Sequence, residues 1–258
     1  MKTKFITLLL FFIVLKTNAQ AQDNSAIKFS ITPAFYDNLD INHKAIPHLK
    51  SSSTFCGEFE VRYYQPIKKG YGLNIGVGLG LVPYNINFDF EMPETYTFYP
   101  EEYPNARIDL ITTEYLNALY LSPISIQKSI SKSPNLKYTI EFGTKLNKTV
   151  FNEWESTITI LDINENNQYE DVFINSQESI TNNFFSYFIK LGLIKGNKIG
   201  DSFHINLVAN MSATDIMKGH YEFRHLGYES YGNTSQKLSY IGLELCYGLS
   251  LNNKKHSK

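Results

Sequence analysis

Tyr240-Ile241-Gly242-Leu243-Glu244-Leu245-Cys246-Tyr247-Gly248-Leu249-Ser250-Leu251 decides how this chain folds. Ile241, Leu243, Leu245, Tyr247, Leu249 and Leu251 fall on one face, with Tyr240, Gly242, Glu244, Cys246, Gly248 and Ser250 on the other. A period of two is a β-strand between two unlike surroundings. One face is continuously apolar, and the other mixes glycine with charge. A soluble sandwich buries its apolar face, whereas a membrane barrel turns that face outward to lipid.

Seven earlier segments repeat the pattern. The first sets Ile27, Phe29, Ile31 and Phe35 against Lys28, Ser30 and Thr32. The second sets Phe55, Phe59, Val61 and Tyr63 against Cys56, Glu58, Glu60, Arg62 and Tyr64. In the third, Tyr71 to Leu81 alternates with Gly72, Asn74, Gly76, Gly78 and Gly80, and the phase slips near Val82-Pro83, which predicts a bulge there. The fourth, Tyr115 to about Ile130, is less regular and offers Leu116, Ala118, Tyr120, Ile124 and Ile126 as its outer face. The fifth has Tyr138, Ile140, Phe142 and Leu146 against Thr139, Glu141, Gly143 and Lys145. Phe185 to Leu193 form the sixth, with Ser186, Phe188, Lys190 and Gly192 opposite. The seventh runs Phe203 to Met211, opposing His204, Asn206, Val208, Asn210 and Ser212.

The connections alternate in length. Short ones lie at 66–70, 131–135 and 196–201, and long ones at 37–53, 91–113, 151–182 and 213–236. Short periplasmic turns and long extracellular loops have this rhythm in outer-membrane barrels. The short turns and the tail carry lysine (Lys68, Lys69, Lys132, Lys198, Lys254, Lys255), whereas acidic residues concentrate in the long loops. Aromatic residues mark the strand ends: Tyr63, Tyr71, Tyr138, Phe203 and Tyr247 on the short-turn side, Phe90, Tyr115, Phe151 and Phe185 on the other. Amphipathic rings suit the two edges of a bilayer. Within the third long loop, Ser156–Ile163 and Glu170–Ile174 flank Asn164–Asn167 and predict an extra hairpin raised above the membrane. The competing count is ten barrel strands.

Lys2 and Lys4 precede an apolar run from Phe5 to Leu15, followed by Ala19-Gln20-Ala21. That is the layout of a secretory signal peptide over residues 1–21, too short for a spanning helix, which needs roughly 20 apolar residues. The domain expected after it covers 22–251, with a polar tail at 252–258. Cleavage would remove three of the 24 basic residues and leave 21 against 25 acidic, net −4, which excludes a typical nucleic-acid binder. Mean hydropathy is −0.25, so a helical membrane protein is excluded, while a half-apolar barrel is not. Cys56 and Cys246 both fall on polar faces, and either one disulfide or two enclosed thiols fits.

An eight-stranded barrel is only wide enough for side chains to fill it. Glu58, Glu60, Arg62, Glu141, Lys145, Lys190 and Glu244 all point inward by phase, so they are expected to pair as a salt-bridged plug, with the interior glycines leaving room for them. The sharper alternative is a narrow ion or proton path. Tyr96, Phe98, Tyr99 and Tyr103 in the second long loop, with Tyr221, Phe223, Arg224, Tyr228 and Tyr231 in the fourth, have the composition of a recognition surface. The opposing reading packs those rings loop against loop. Asp215, His220, His225 and Ser212 are the acid, histidine and serine set a lipid-modifying barrel enzyme would use, but no motif joins them. No metal-ligand spacing, phosphate loop or nucleophile elbow is present, so no catalytic residue, cofactor or metal is expected.

Taken together, these features resemble the small outer-membrane β-barrels widespread in Bacteroidota, the porin-family or PorT-like proteins. The most local match is Glu114-Tyr115-Leu116-Asn117-Ala118-Leu119-Tyr120-Leu121-Ser122-Pro123-Ile124, similar to that family's tyrosine-leucine-x-isoleucine-proline-leucine signature with the proline displaced. The signal segment ending Asn18-Ala19-Gln20 is similar as well. The resemblance implies an eight-stranded, usually plugged barrel, with an accessory role in secretion as one reading. The expectation is therefore an all-β, eight-stranded antiparallel up-and-down transmembrane barrel in the outer membrane of a Gram-negative bacterium. It is expected to be monomeric and non-enzymatic, surrounded by outer-membrane lipid, with its loops open to an extracellular or envelope protein. A secreted lipocalin-like barrel is disfavoured, because its cup would be charged on nearly every strand.

Overall fold

The computed structural model describes residues 24–43, 49–51, 53, 55–68, 70–91, 107–133, 136–150, 154–162, 168–196, 201–225 and 228–251. The signal-peptide reading over 1–21 and the tail 252–258 lie outside them. Among the described residues fourteen strands follow in order: β1 (Ala26–Tyr36), β2 (Asp40–His43), β3 (Leu49–Lys50), β4 (Phe55–Pro66), β5 (Tyr71–Glu91), β6 (Arg107–Ser133) and β7 (Leu136–Val150), then β8 (Trp154–Asp162), β9 (Gln168–Ser179), β10 (Asn183–Gly196), β11 (Ser202–Ser212), β12 (Asp215–His225), β13 (Tyr228–Lys237) and β14 (Tyr240–Ser250). Eight of them form a closed ring in the order β1-β4-β5-β6-β7-β10-β11-β14, every pairing antiparallel, and β14 returns to β1. Closure removes every sheet edge at membrane depth, the condition a β-structure must meet to sit in lipid.

The ring is built inside out. Ile241, Ile130, Val77 and Phe142 on its exterior are 57–63% exposed, while Arg62, Lys145, Lys190 and Glu244 inside are at most 3% exposed. At the described outward positions the belt carries no charge except at its ends, where Lys128, Lys148 and Lys195 stand. No water-soluble fold exposes a continuous apolar belt around buried ion pairs. The predicted eight-stranded transmembrane barrel is the fold observed.

Two expectations about strand irregularity are corrected. Pairing between β5 and β6 runs unbroken from Gly76 to Glu91, so no bulge lies at Val82-Pro83. The irregularity is on β6 instead. Asn74 pairs with Ser125 but Gly76 pairs with Ser122, and β7 registers a shift over the same Leu121–Ser125 stretch. Pro123 sits in that stretch and cannot donate to a ladder, a common reason for an extra residue. The bulge flips the side-chain phase. Leu119 and Leu121 face lipid before it, Ile124 and Ile126 after it, and Ala118 and Tyr120 are buried inside rather than on the outer face.

Much of what reads as long loops is also β-structure. The third-loop hairpin is present as β8–β9, but it joins a second sheet, β2-β13-β12-β9-β8, and does not enter the barrel. The fourth long connection is the β12–β13 hairpin of that sheet. In the second, β5 and β6 stay paired out to Glu91–Arg107, ten residues past Leu81, or about 33 Å of strand. The second sheet lies over the long-loop end of the barrel as a cap. Hydrogen bonds from Asn210 Nδ2 to the Leu238 carbonyl (2.8 Å) and from the Asp37 amide to the Ser239 carbonyl (2.9 Å) tie the Leu238-Ser239 link between β13 and β14 to β11 and to the end of β1. Ile216, Met217, Tyr221, Phe223 and Leu238 pack with Ala34, Tyr36, Val82, Ala118, Val208 and Tyr240 in one apolar cluster.

Candidate functional site

The barrel interior holds the predicted charges as two ion-paired groups, with the Phe188 ring between Lys145 of one and Lys190 of the other. Arg62 on β4 is the hub of the larger group: Nη2 donates to Glu244 (2.8 Å), Nη1 donates to Glu141 (3.2 Å), and Nε lies 3.4 Å from Glu60. Lys190 on β10 bridges Glu244 (2.5 Å) and Glu60 (3.3 Å). Nearer the cap, Lys145 donates to Glu58 (2.5 Å) and to Tyr240 Oη (2.8 Å), which in turn donates to Glu58 (2.7 Å). All seven residues named from sequence phase belong to one or other of these groups, and each is at most 8% exposed.

Residues that reading omitted complete them. Ser122 and Ser125 donate to Glu60 (2.9 Å) and Glu141 (2.5 Å), and Asn206 donates to Glu244 (2.6 Å). Lys28 stands one layer toward the short turns, held by Asn74 Oδ1 (3.0 Å), Gln127 Oε1 (2.8 Å) and the face of Tyr64 (4.1 Å to its centre). With Lys28 counted, four cations (Lys28, Arg62, Lys145, Lys190) and four carboxylates (Glu58, Glu60, Glu141, Glu244) are buried in the interior among the described residues, and their formal charges sum to zero. Lys28 and Asn206 were legible from phase alone. Tyr120, whose ring lies under Lys145 at 4.1 Å, was not, because the Pro123 bulge hides which way β6 faces.

Glycines make the room. A Cβ at Gly76 would collide with Arg62 Cγ and lie 2.9 Å from the Val61 carbonyl oxygen, while at Gly78 it would overlap the Tyr120 ring. The glycine row of β5 is therefore the trough in which the hub arginine and a buried tyrosine lie. Gly70 has φ of +77° in the β4–β5 turn, a conformation that favours glycine.

The aromatic recognition surface is not assembled as the sequence suggested. Tyr221 and Phe223 are buried in the cluster under the cap (1% exposed each), because alternation on β12 turns them toward the barrel. His43 of β2 meets Tyr221 Oη at 2.6 Å and holds it there. Tyr231 on β13 is exposed, and Arg224 and Tyr228 stand at the end of the β12–β13 hairpin, paired with Glu229 and His225. Tyr96, Phe98, Tyr99 and Tyr103 lie outside the described residues. The solvent face of the cap carries Lys218, ion-paired to Glu178 (3.1 Å), together with His220, Tyr231 and Asn233.

The serine, histidine and acid set is dispersed. Asp215 and His220 are five residues apart on β12, about 16 Å along a strand, and Ser212 Oγ is bound to the Thr214 carbonyl. His204 faces the interior as phase predicts, beside Ser202 Oγ at 2.8 Å. Cys56 and Cys246 are both free; they pair across β1 with Ala34 and Ser30, about 13 Å apart along it, too far for a disulfide. Among the described residues, no group of three or more His, Cys, Asp or Glu side chains could hold a metal ion.

No family model matches the chain, and no curated protein matches it. Among solved structures it is similar to the outer membrane protein OprG from Pseudomonas aeruginosa, at 10% identity and TM-score 0.49, covering 90% of this chain and 98% of that one. Ail, the attachment invasion locus protein of Yersinia pestis, is similar at 12% identity and TM-score 0.31, covering 86% of this chain and 99% of the other. These are likenesses of fold. Independently of them, a closed antiparallel barrel with a lipid-facing apolar belt and alternating short and long connections is an outer-membrane structure. This chain is one.

Proposed function

We propose that the chain is a non-enzymatic, closed outer-membrane barrel whose interior is a permanent plug and whose working surface is the β-cap above the membrane. The observation that carries this reading is the packing of the interior. A water-filled bore would leave its wall exposed, yet the eight buried charges among the described residues are each 0–8% exposed, equal in number of either sign, and roofed by an apolar cluster. Charge held this way is structural, because removing either partner leaves an unpaired buried ion. The cap turns its apolar side inward and presents Lys218, His220, Tyr231 and Asn233 outward, a polar surface suited to an envelope or extracellular partner. The stretch Glu114–Ile124 supports placing the chain near the PorT-like barrels of Bacteroidota, in which plugged barrels are the expectation.

Planar-bilayer recording of the refolded full chain tests the plug. The expected result is a silent membrane across the voltage range, and resolved conductance steps would overturn it. For the non-enzymatic part, lipid A from overexpressing cells is expected to keep its acyl and phosphate pattern; a new species would overturn that part alone.

A further inference from the structure

We propose that the short-turn rim of the barrel carries a one-sided binding arc for anionic phospholipid. Among the described residues, the belt's outward charges are all lysines at its two ends, and two of the three, Lys128 on β6 and Lys195 on β10, stand at the short-turn end. Each is directly cross-strand from an exposed ring. Lys128 pairs with Tyr71, and its Nζ lies 3.9 Å over that ring, while Lys195 pairs with Phe203. Tyr138 on β7 lies between the two lysines, so rings and lysines alternate from β5 to β11.

Rings of this kind sit at headgroup depth, and a lysine stem lying along them carries its ammonium to the phosphate plane. Lys68, exposed in the β4–β5 turn, extends the arc, and Asp201 is the acidic residue described at this end of the barrel. Asp201, in the β10–β11 turn at the edge of the arc, turns its carboxylate away toward β14, where it accepts from Tyr247 Oη (3.1 Å) and the Ser250 amide (3.1 Å), and the described outward rim positions of β14, β1 and β4 carry no lysine. Among the described residues, the basic charge therefore covers one half of the circumference. Its chemistry fits an anionic headgroup in the leaflet on the short-turn side, with acyl chains lying against the belt below it.

Native mass spectrometry of the detergent-solubilised full chain, titrated with phosphatidylglycerol or phosphatidylcholine, tests this. The inference rests on the barrel reading, which has its own check: a wild type that runs identically on a gel with and without boiling would defeat that reading instead. For a heat-modifiable wild type, phosphatidylglycerol is expected to be retained in preference. Each of Lys128→Gln and Lys195→Gln should weaken its binding roughly fivefold, and the double variant roughly 30-fold. Lys148→Gln, at the opposite rim, should leave binding unchanged, and Lys128→Arg with Lys195→Arg should retain it even if the glutamine variants fold poorly. Equal retention of phosphatidylcholine, an equal loss in Lys148→Gln, or displacement of the lipid by inorganic phosphate would each overturn the assignment.

Discussion

Glu244 shows what one residue does in this interior. Its carboxylate accepts from Arg62, Lys190 and Asn206 while wholly buried, so no water can replace a lost partner. Glu244→Gln keeps the shape and removes the charge, leaving four cations against three anions among the described interior residues. Urea unfolding in lipid vesicles should show a loss of about 3–5 kcal/mol. Adding Lys190→Met, which restores neutrality with an apolar stem of similar length, should recover much of that loss. Full additivity of the two substitutions would mean that the ion pair is not coupled as the distances indicate.

At the scale of the element, β6 is the instructive strand. A single extra residue near Pro123 lets the same strand present Leu119 and Leu121 to lipid on one side of the bulge, and Ile124 and Ile126 on the other. Deleting Pro123 should shift one half of the strand by a residue, carrying Ser125 and Gln127 toward lipid or Leu119 and Leu121 inward. The expected result is a chain that no longer becomes heat-modifiable on a gel. Leu119→Arg tests the phase directly: a lipid-facing arginine in the belt should cost about 2–4 kcal/mol in vesicle unfolding, falling toward zero near an edge. No destabilisation at Leu119 would mean that the fourth segment instead turns Leu116, Ala118 and Tyr120 outward.

Across the whole molecule, the barrel and its cap divide the work. The barrel closes its own hydrogen bonds and balances its buried charges among the described residues, while the second sheet covers the apolar upper interior that includes Tyr36, Val208 and Tyr240. Alternating connection length places the cap outside the cell and the short turns in the periplasm. A protease site introduced at Asn166, between β8 and β9, should be cut on intact cells. One introduced at Lys69, in the β4–β5 turn, should be cut only after the outer membrane is opened. The reverse pattern would invert the orientation and with it the leaflet facing Lys128 and Lys195.

Alternation alone determined that this chain makes period-two strands, and glycine and charge opposite the apolar stripe determined which face meets lipid. Both are local properties, since a strand's two faces are written two residues apart; Glu58, Glu60, Arg62, Glu141, Lys145, Lys190 and Glu244 could therefore be assigned inward one strand at a time. Which of them touch was decided only by closure of the ring, which sets Arg62 of β4 beside Glu244 of β14, 182 positions away. The facing of Tyr120 depended on a bulge, and bulges are set by the register of neighbouring strands. The fate of Tyr221 and Phe223 depended on the second sheet settling over the barrel mouth. An amphipathic hairpin in a long loop reads the same whether its rings end in solvent or in a core, because only the surface it meets differs.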